Sequence, residues 1–81
     1  MERKTMIMQY IKKEIMRNEK ATISEQEDLL SEGILDSLGI LQLVAYIDDT
    51  FGIEIPDRDV VYENFYSVDA LNTYLQSYKP A

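Results

Sequence analysis

Residues 35–52 read LDSLGILQLVAYIDDTFG, and the spacing of their apolar side chains sets the architecture. Placed at the 100° steps of an α-helix, Ile40, Leu43, Val44, Ile47 and Phe51 fall within about 100° of arc. That arc predicts a helix over 37–51 with one core face. Leu38, Leu41 and Ala45 form a second apolar strip beside it, while Gly39, Gln42, Tyr46 and Asp49 are expected on the outer side. Gly52 follows as a C-terminal signal, because a glycine just past a helix accepts the left-handed conformation that closes it. The run is apolar over more than half its circumference, so part of it must face something other than the core.

Upstream, Met8, Ile11 and Ile15, with Ile7 and Tyr10 beside them, predict a helix over 4–18. Lys12, Lys13 and Arg17 lie mainly on its other side, and Glu14 interrupts the apolar stripe. Glu14 is expected to snorkel or to pair with a neighbouring cation. Residues 19–36 keep no period. They hold the apolar pins Leu29, Leu30, Ile34 and Leu35, and Gly33 at a turn. So long a connection is expected to be functional, and packed down by its pins. Downstream, Pro56 cannot continue helix two. Asp57 suits the N-cap of a short third helix over 57–64, with Phe65 pinning its end. Ser67 is a good N-cap for a last helix over 68–78, with Val68, Leu71, Leu75 and Tyr78 on one stripe. The fold class expected is all-α: one domain over 1–81, a four-helix bundle with a long first loop and a short third helix.

Composition removes several function classes. The chain has 81 residues with no cysteine and no histidine. Disulfides, thiolate metal sites, a chain-borne thiol nucleophile and a histidine base are all excluded. Residues 1–20 carry a net charge of +3 and residues 21–81 one of −10. So acidic a body repels phosphate backbones and attracts basic docking surfaces, so no nucleic acid is expected. No stretch approaches a membrane span, and the N-terminus lacks the apolar region of a signal peptide, so a cytoplasmic monomer is the expectation. PDRDVVYENF lacks the ligand and glycine positions of a calcium loop, and there is no Gly-rich phosphate loop, so no metal site is expected.

Asp36-Ser37 admits two readings. Both residue types are favoured N-caps. Equally, a hydroxyl at a helix N-terminus suits an attached phosphodiester, whose charge the free N–H groups and the helix dipole stabilise. A serine modified by another enzyme needs no base of its own, only exposure and a docking surface.

LLSEGILDSLGILQLVAYIDDTFGIEIP, with FYSVDALNTYL after it, resembles the acyl carrier protein superfamily over about residues 20–78. The resemblance implies a carrier-type bundle in which Ser37 bears a covalent 4′-phosphopantetheine from coenzyme A, flanked by Asp36 and Leu38. The arm's thiol would hold an acyl or aminoacyl group as a thioester. The implied partners are a phosphopantetheinyl transferase, an adenylating ligase or acyltransferase for loading, and a downstream thioester-using enzyme. The protein itself would not be catalytic. Fatty-acid carriers typically have acids two and five positions after the serine, where this chain has Gly39 and Gln42. The chain therefore looks closer to freestanding aminoacyl or specialised acyl carriers, similar to D-alanyl carrier proteins. Gly39, Leu41, Gln42, Ala45, Tyr46, Asp48, Asp49 and Tyr62 are the expected partner-binding residues. The alternative is an unmodified acidic helical module that docks through helix two.

Overall fold

The computed structural model describes residues 2–78. Among them the chain is all-helical, without strands. Helix α1 (Arg3–Tyr10) runs on as a π-helical stretch (Ile11–Ile15). After the long loop come α2 (Ser37–Phe51), a 3-10 turn (Asp57–Asp59), α3 (Tyr62–Phe65) and α4 (Val68–Ser77).

α2 follows the predicted span because both of its ends are specified. Asp36 caps the start, and Gly52 closes the end in the left-handed region at φ 69°, donating its N–H to the Asp48 carbonyl. Leu43 and Ile47 are fully buried, and Ile40, Val44 and Phe51 are partly so. Their partners are Ile7 from α1, Ile11 from the π-helical stretch, Ile23, Leu29 and Leu35 from the loop, and Phe65, Val68, Leu71 and Leu75 near or on α4. Burying each such side chain contributes about 1.5–3 kcal/mol. The loop pins thus reach the core as expected, though Leu30 and Ile34 only in part.

The first helix stops earlier than its apolar spacing implies. Met16 donates its N–H to the Ile11 carbonyl at 2.8 Å, five residues back, and Asn18 reaches the Lys12 carbonyl at 2.8 Å. Arg17 then turns the chain with φ 55°. The widened turn leaves Glu14 exposed and half-buries Ile15 and Met16. Glu14 therefore needs no cation: among the described residues, the ion pairs are those of Lys4 with Glu25 at 3.2 Å and with Asp69 at 3.3 Å. These two bonds tie α1, the loop and the start of α4 together.

The third helix is also not the predicted 57–64. The chain makes a 3-10 turn at Asp57–Asp59, then extends through Val61 (φ −128°, ψ 162°) before α3 begins. Two consecutive β-branched residues, Val60 and Val61, favour extended backbone over a continuous helix. Asp57 is accordingly no N-cap. Asp59 ties the turn to α4 instead: its carboxylate accepts from the Tyr74 hydroxyl at 2.6 Å. Burial and that bond push the Tyr74 hydroxyl up to about 12. Phe65 is buried, as its predicted pinning role requires, and α4 is capped by Ser67 as expected and runs from Val68 to Ser77.

Candidate functional site

The loop sets the start of α2 in place before the helix begins. Gly33 turns the chain with φ 77°. Ile34 and Leu35 then donate their N–H groups to the Leu29 carbonyl at 2.9 and 3.0 Å, while Leu29 donates its own to the Tyr66 carbonyl at 2.7 Å. With Leu29 and Leu35 both buried, the approach to residue 36 is held by backbone bonds and by the core.

Asp36 is extended (φ −124°, ψ −173°), and its Oδ1 accepts from the Gly39 N–H at 2.8 Å. Its carbonyl accepts from the Ile40 N–H at 2.9 Å. Asp36 therefore does all of the side-chain capping. Ser37 is the first helical residue and is exposed. No hydrogen bond among the described residues uses its hydroxyl. In a helix the first N–H groups have no intrahelical acceptor. With Gly39 satisfied by Asp36, those of Ser37 and Leu38 remain at the positive end of a 15-residue helix. A phosphodiester on the Ser37 hydroxyl would meet donors and a favourable field there. Leu38, 64% exposed, and Leu41, 66% exposed, supply an apolar surface on the same helix. These residues fit an attached phosphopantetheine arm.

The other expected positions divide. Gln42, Ala45, Asp48 and Asp49 are exposed on α2 together with Leu38 and Leu41. The outer face of the helix is thus apolar near Ser37 and acidic toward its far end. Gly39 is not on that face. It is buried, and a β-carbon there would lie 3.3 Å from Leu35 Cδ2 and 3.6 Å from Ile15 Cγ2. Tyr46 is also not outward. Its ring stacks on Tyr10 at 4.1 Å and meets Phe51 edge-on at 6.1 Å, and its hydroxyl donates to the Met6 carbonyl at 3.4 Å. Tyr46 turns toward α1, and Gly39 toward Leu35 and the π-helical stretch that continues α1.

Tyr62 is half exposed but committed at its tip. Its hydroxyl donates to the Asp28 carboxylate, and its ring stacks on Tyr66 at 5.3 Å. That hydroxyl, then the Ser31 N–H, hold the Asp28 carboxyl below the usual carboxylate range, and the same bond raises Tyr62. This link between the loop and α3 had no signal in the sequence, since neither residue belongs to a motif. Among the described residues, no helix is long and apolar enough to cross a membrane.

Comparison with known proteins accords with this geometry. A chain in a structure described as "Crystal structure of FAD-dependent dehydrogenase" is 31% identical, with a TM-score of 0.76 over 85% of this chain and 97% of that chain. No curated protein matches. The model of the family described as "Phosphopantetheine attachment site" matches residues 7–75. The chain therefore belongs to the phosphopantetheine attachment family, the acyl carrier protein kind that its motif resembles, whose members bear a covalent 4′-phosphopantetheine.

Proposed function

We propose that this chain is a carrier that holds an acyl or aminoacyl group on a 4′-phosphopantetheine arm at Ser37 and presents it to separate enzymes. The observation that carries the reading is the division of labour at the start of α2. Asp36 takes the cap, so the Ser37 hydroxyl is exposed and uncommitted.

The chemistry follows from what the chain has and lacks. Ser37 Oγ forms a bond to the phosphorus of the phosphopantetheine portion of coenzyme A. The bond to the leaving 3′,5′-ADP breaks, and the serine proton passes to a base. With no histidine in the chain, the transferase supplies that base. The leftover N–H groups at the helix start then stabilise the phosphodiester charge. Once attached, the arm supplies the thiol that a chain without cysteine lacks, and this thiol holds the carried group as a thioester. The chain's own part is address and orientation: a rigid helix start, and the exposed Leu38 and Leu41 beside it.

The partners inferred are a phosphopantetheinyl transferase, an adenylating ligase or acyltransferase that loads the arm, and an enzyme that uses the thioester. A flavin-dependent dehydrogenase is a candidate for the last. The similar chain belongs to a dehydrogenase structure and is matched over 97% of its length by a domain of this size.

The test is intact mass after incubation with coenzyme A and a broad-specificity phosphopantetheinyl transferase. One phosphopantetheine mass is gained by the wild-type chain and none by Ser37→Ala. No gain, or an equal gain in both, refutes the reading.

A further inference from the structure

We propose that the basic strip where α1 ends is a second docking surface, one that receives an acidic patch on an enzyme acting on the carried group. The inference rests on the carrier reading above and adds the sign of the partner's surface. Lys13, Arg17 and Lys20 line one open groove of about 520 Å³ with Glu14, Asn18 and Glu19. Lys12, Lys13 and Glu19 also line an adjoining groove of about 370 Å³, so the cations form a continuous strip. Two carboxylates share these grooves, yet none of the four cations has one within 4 Å among the described residues, where the ion pairs are those of Lys4. Cations in a last helical turn are favoured by the dipole, and that accounts for Lys12 and Lys13. It does not account for Arg17 and Lys20, which lie beyond the helix end.

Arg17 sits immediately past the helix end itself. It is the one non-glycine residue with positive φ among those described, at 55°. Glycine or asparagine would adopt that backbone more easily. That conformation closes the helix, with the Asn18 N–H reaching back to the Lys12 carbonyl at 2.8 Å, and it leaves an exposed Arg17 in the groove.

The place of the strip gives it a purpose. Ile15 Cγ2 lies 3.6 Å from where a β-carbon of Gly39 would be. This end of α1 therefore abuts the first turn of α2, two residues from Ser37. In this proposal a partner that takes the arm also rests on the strip. Within α2 the positions nearest the serine offer that partner no charge, since Gly39 is buried and Gln42 is neutral, and the exposed Asp36 just ahead of it is engaged by the Gly39 N–H. Asp48 and Asp49 stand about three turns further along α2, some 16 Å away at 1.5 Å per residue. A partner with carboxylates facing α1 and cations facing the far end of α2 can seat the carrier in only one direction. Charges at an interface rim set encounter and orientation in this way.

The test places a photoreactive p-benzoylphenylalanine at Gln9 or Asn18, which line the grooves without charge, or, as a control, at exposed Gln76, in the full chain within its native cells. Capture at positions 9 and 18 should exceed that at 76 about tenfold, the size of effect that charge steering commonly reaches. The captured peptide should be an Asp/Glu-rich surface of a thioester-processing enzyme. Capture no greater than at Gln76, a captured surface without carboxylates, or a second copy of this chain overturns the proposal. A second measurement puts the photoreactive residue at Leu41 and adds Lys13→Glu/Arg17→Glu/Lys20→Glu, checked first for a wild-type melting temperature. Enzyme capture should fall about tenfold, and unchanged capture overturns the proposal. Arm attachment to the wild-type chain separates the two failures. If the chain takes no arm, the carrier reading fails; if it takes the arm and the strip captures nothing, only this inference fails.

Discussion

Two helices of this protein begin at a serine, and they use it in opposite ways. At α4, Ser67 is the N-cap itself: it is buried, and its Oγ accepts from the Ala70 N–H at 3.0 Å. At α2, an aspartate has taken that duty one residue earlier, and Ser37 stands just inside the helix with its hydroxyl in solvent. The residue after each serine repeats the contrast. Val68 is 1% exposed and Leu38 is 64% exposed. One start is built to hold the bundle together. The other has been relieved of that task, and its serine is left exposed, as the proposed arm attachment requires.

The sharpest way to break this contrast is to remove each hydroxyl in turn. Ser37→Ala should abolish arm attachment while shifting stability by less than about 0.5 kcal/mol, as for surface sites. Ser67→Ala should leave attachment intact and cost about 1–2 kcal/mol, as a lost cap does. Intact mass and urea melts of the two variants measure both quantities. Next in size are the neighbours. Val68→Ala should cost about 2 kcal/mol from its buried site, and Leu38→Ala less than about 0.5 kcal/mol from its exposed one. Equal costs in urea melts would mean that the two helix starts are not packed differently.

Asp36→Ala tests whether the cap has truly moved one residue upstream. It should cost about 1 kcal/mol, and the Gly39 amide should lose protection from hydrogen exchange. The smallest effect is expected from pH. The Asp28 carboxyl lies below its ordinary value when folded, so the stability it contributes is present above the unfolded value, about 3.9, and is lost as pH falls through the folded one. NMR signals of Tyr62 and Tyr66 should therefore shift below about pH 4. They should not do so in Asp28→Asn, and the Ser67 cap should stay unchanged over the same range.

How much of this was legible in the sequence follows from where each signal resides. α2 and α4 could be bounded because their caps are side-chain events: Asp36, Gly52 and Ser67 announce themselves by residue type. The end of α1 could not. Its π-helical turn is a backbone hydrogen-bond choice, and Arg17 adopts a left-handed angle that sequence leads one to assign to glycine. The break before α3 had a signal in Val60-Val61, but Asp57 offered a competing cap. At the site, Ser37, Leu38 and Leu41 lie where helical periodicity put them. Gly39 and Tyr46 do not, because a wheel drawn for α2 alone cannot show which flank α1 will cover.

Leu29 makes a last point about how the doorway to Ser37 behaves. One residue gives its amide to Tyr66 at the end of α3 and its carbonyl to both Ile34 and Leu35 ahead of α2. The stretch is therefore a knot rather than a string, and untying any strand of it loosens the rest. Amide exchange at Leu29, Ile34 and Leu35 should share a single opening rate, and a partner that pries at α3 will be felt at the threshold of Ser37.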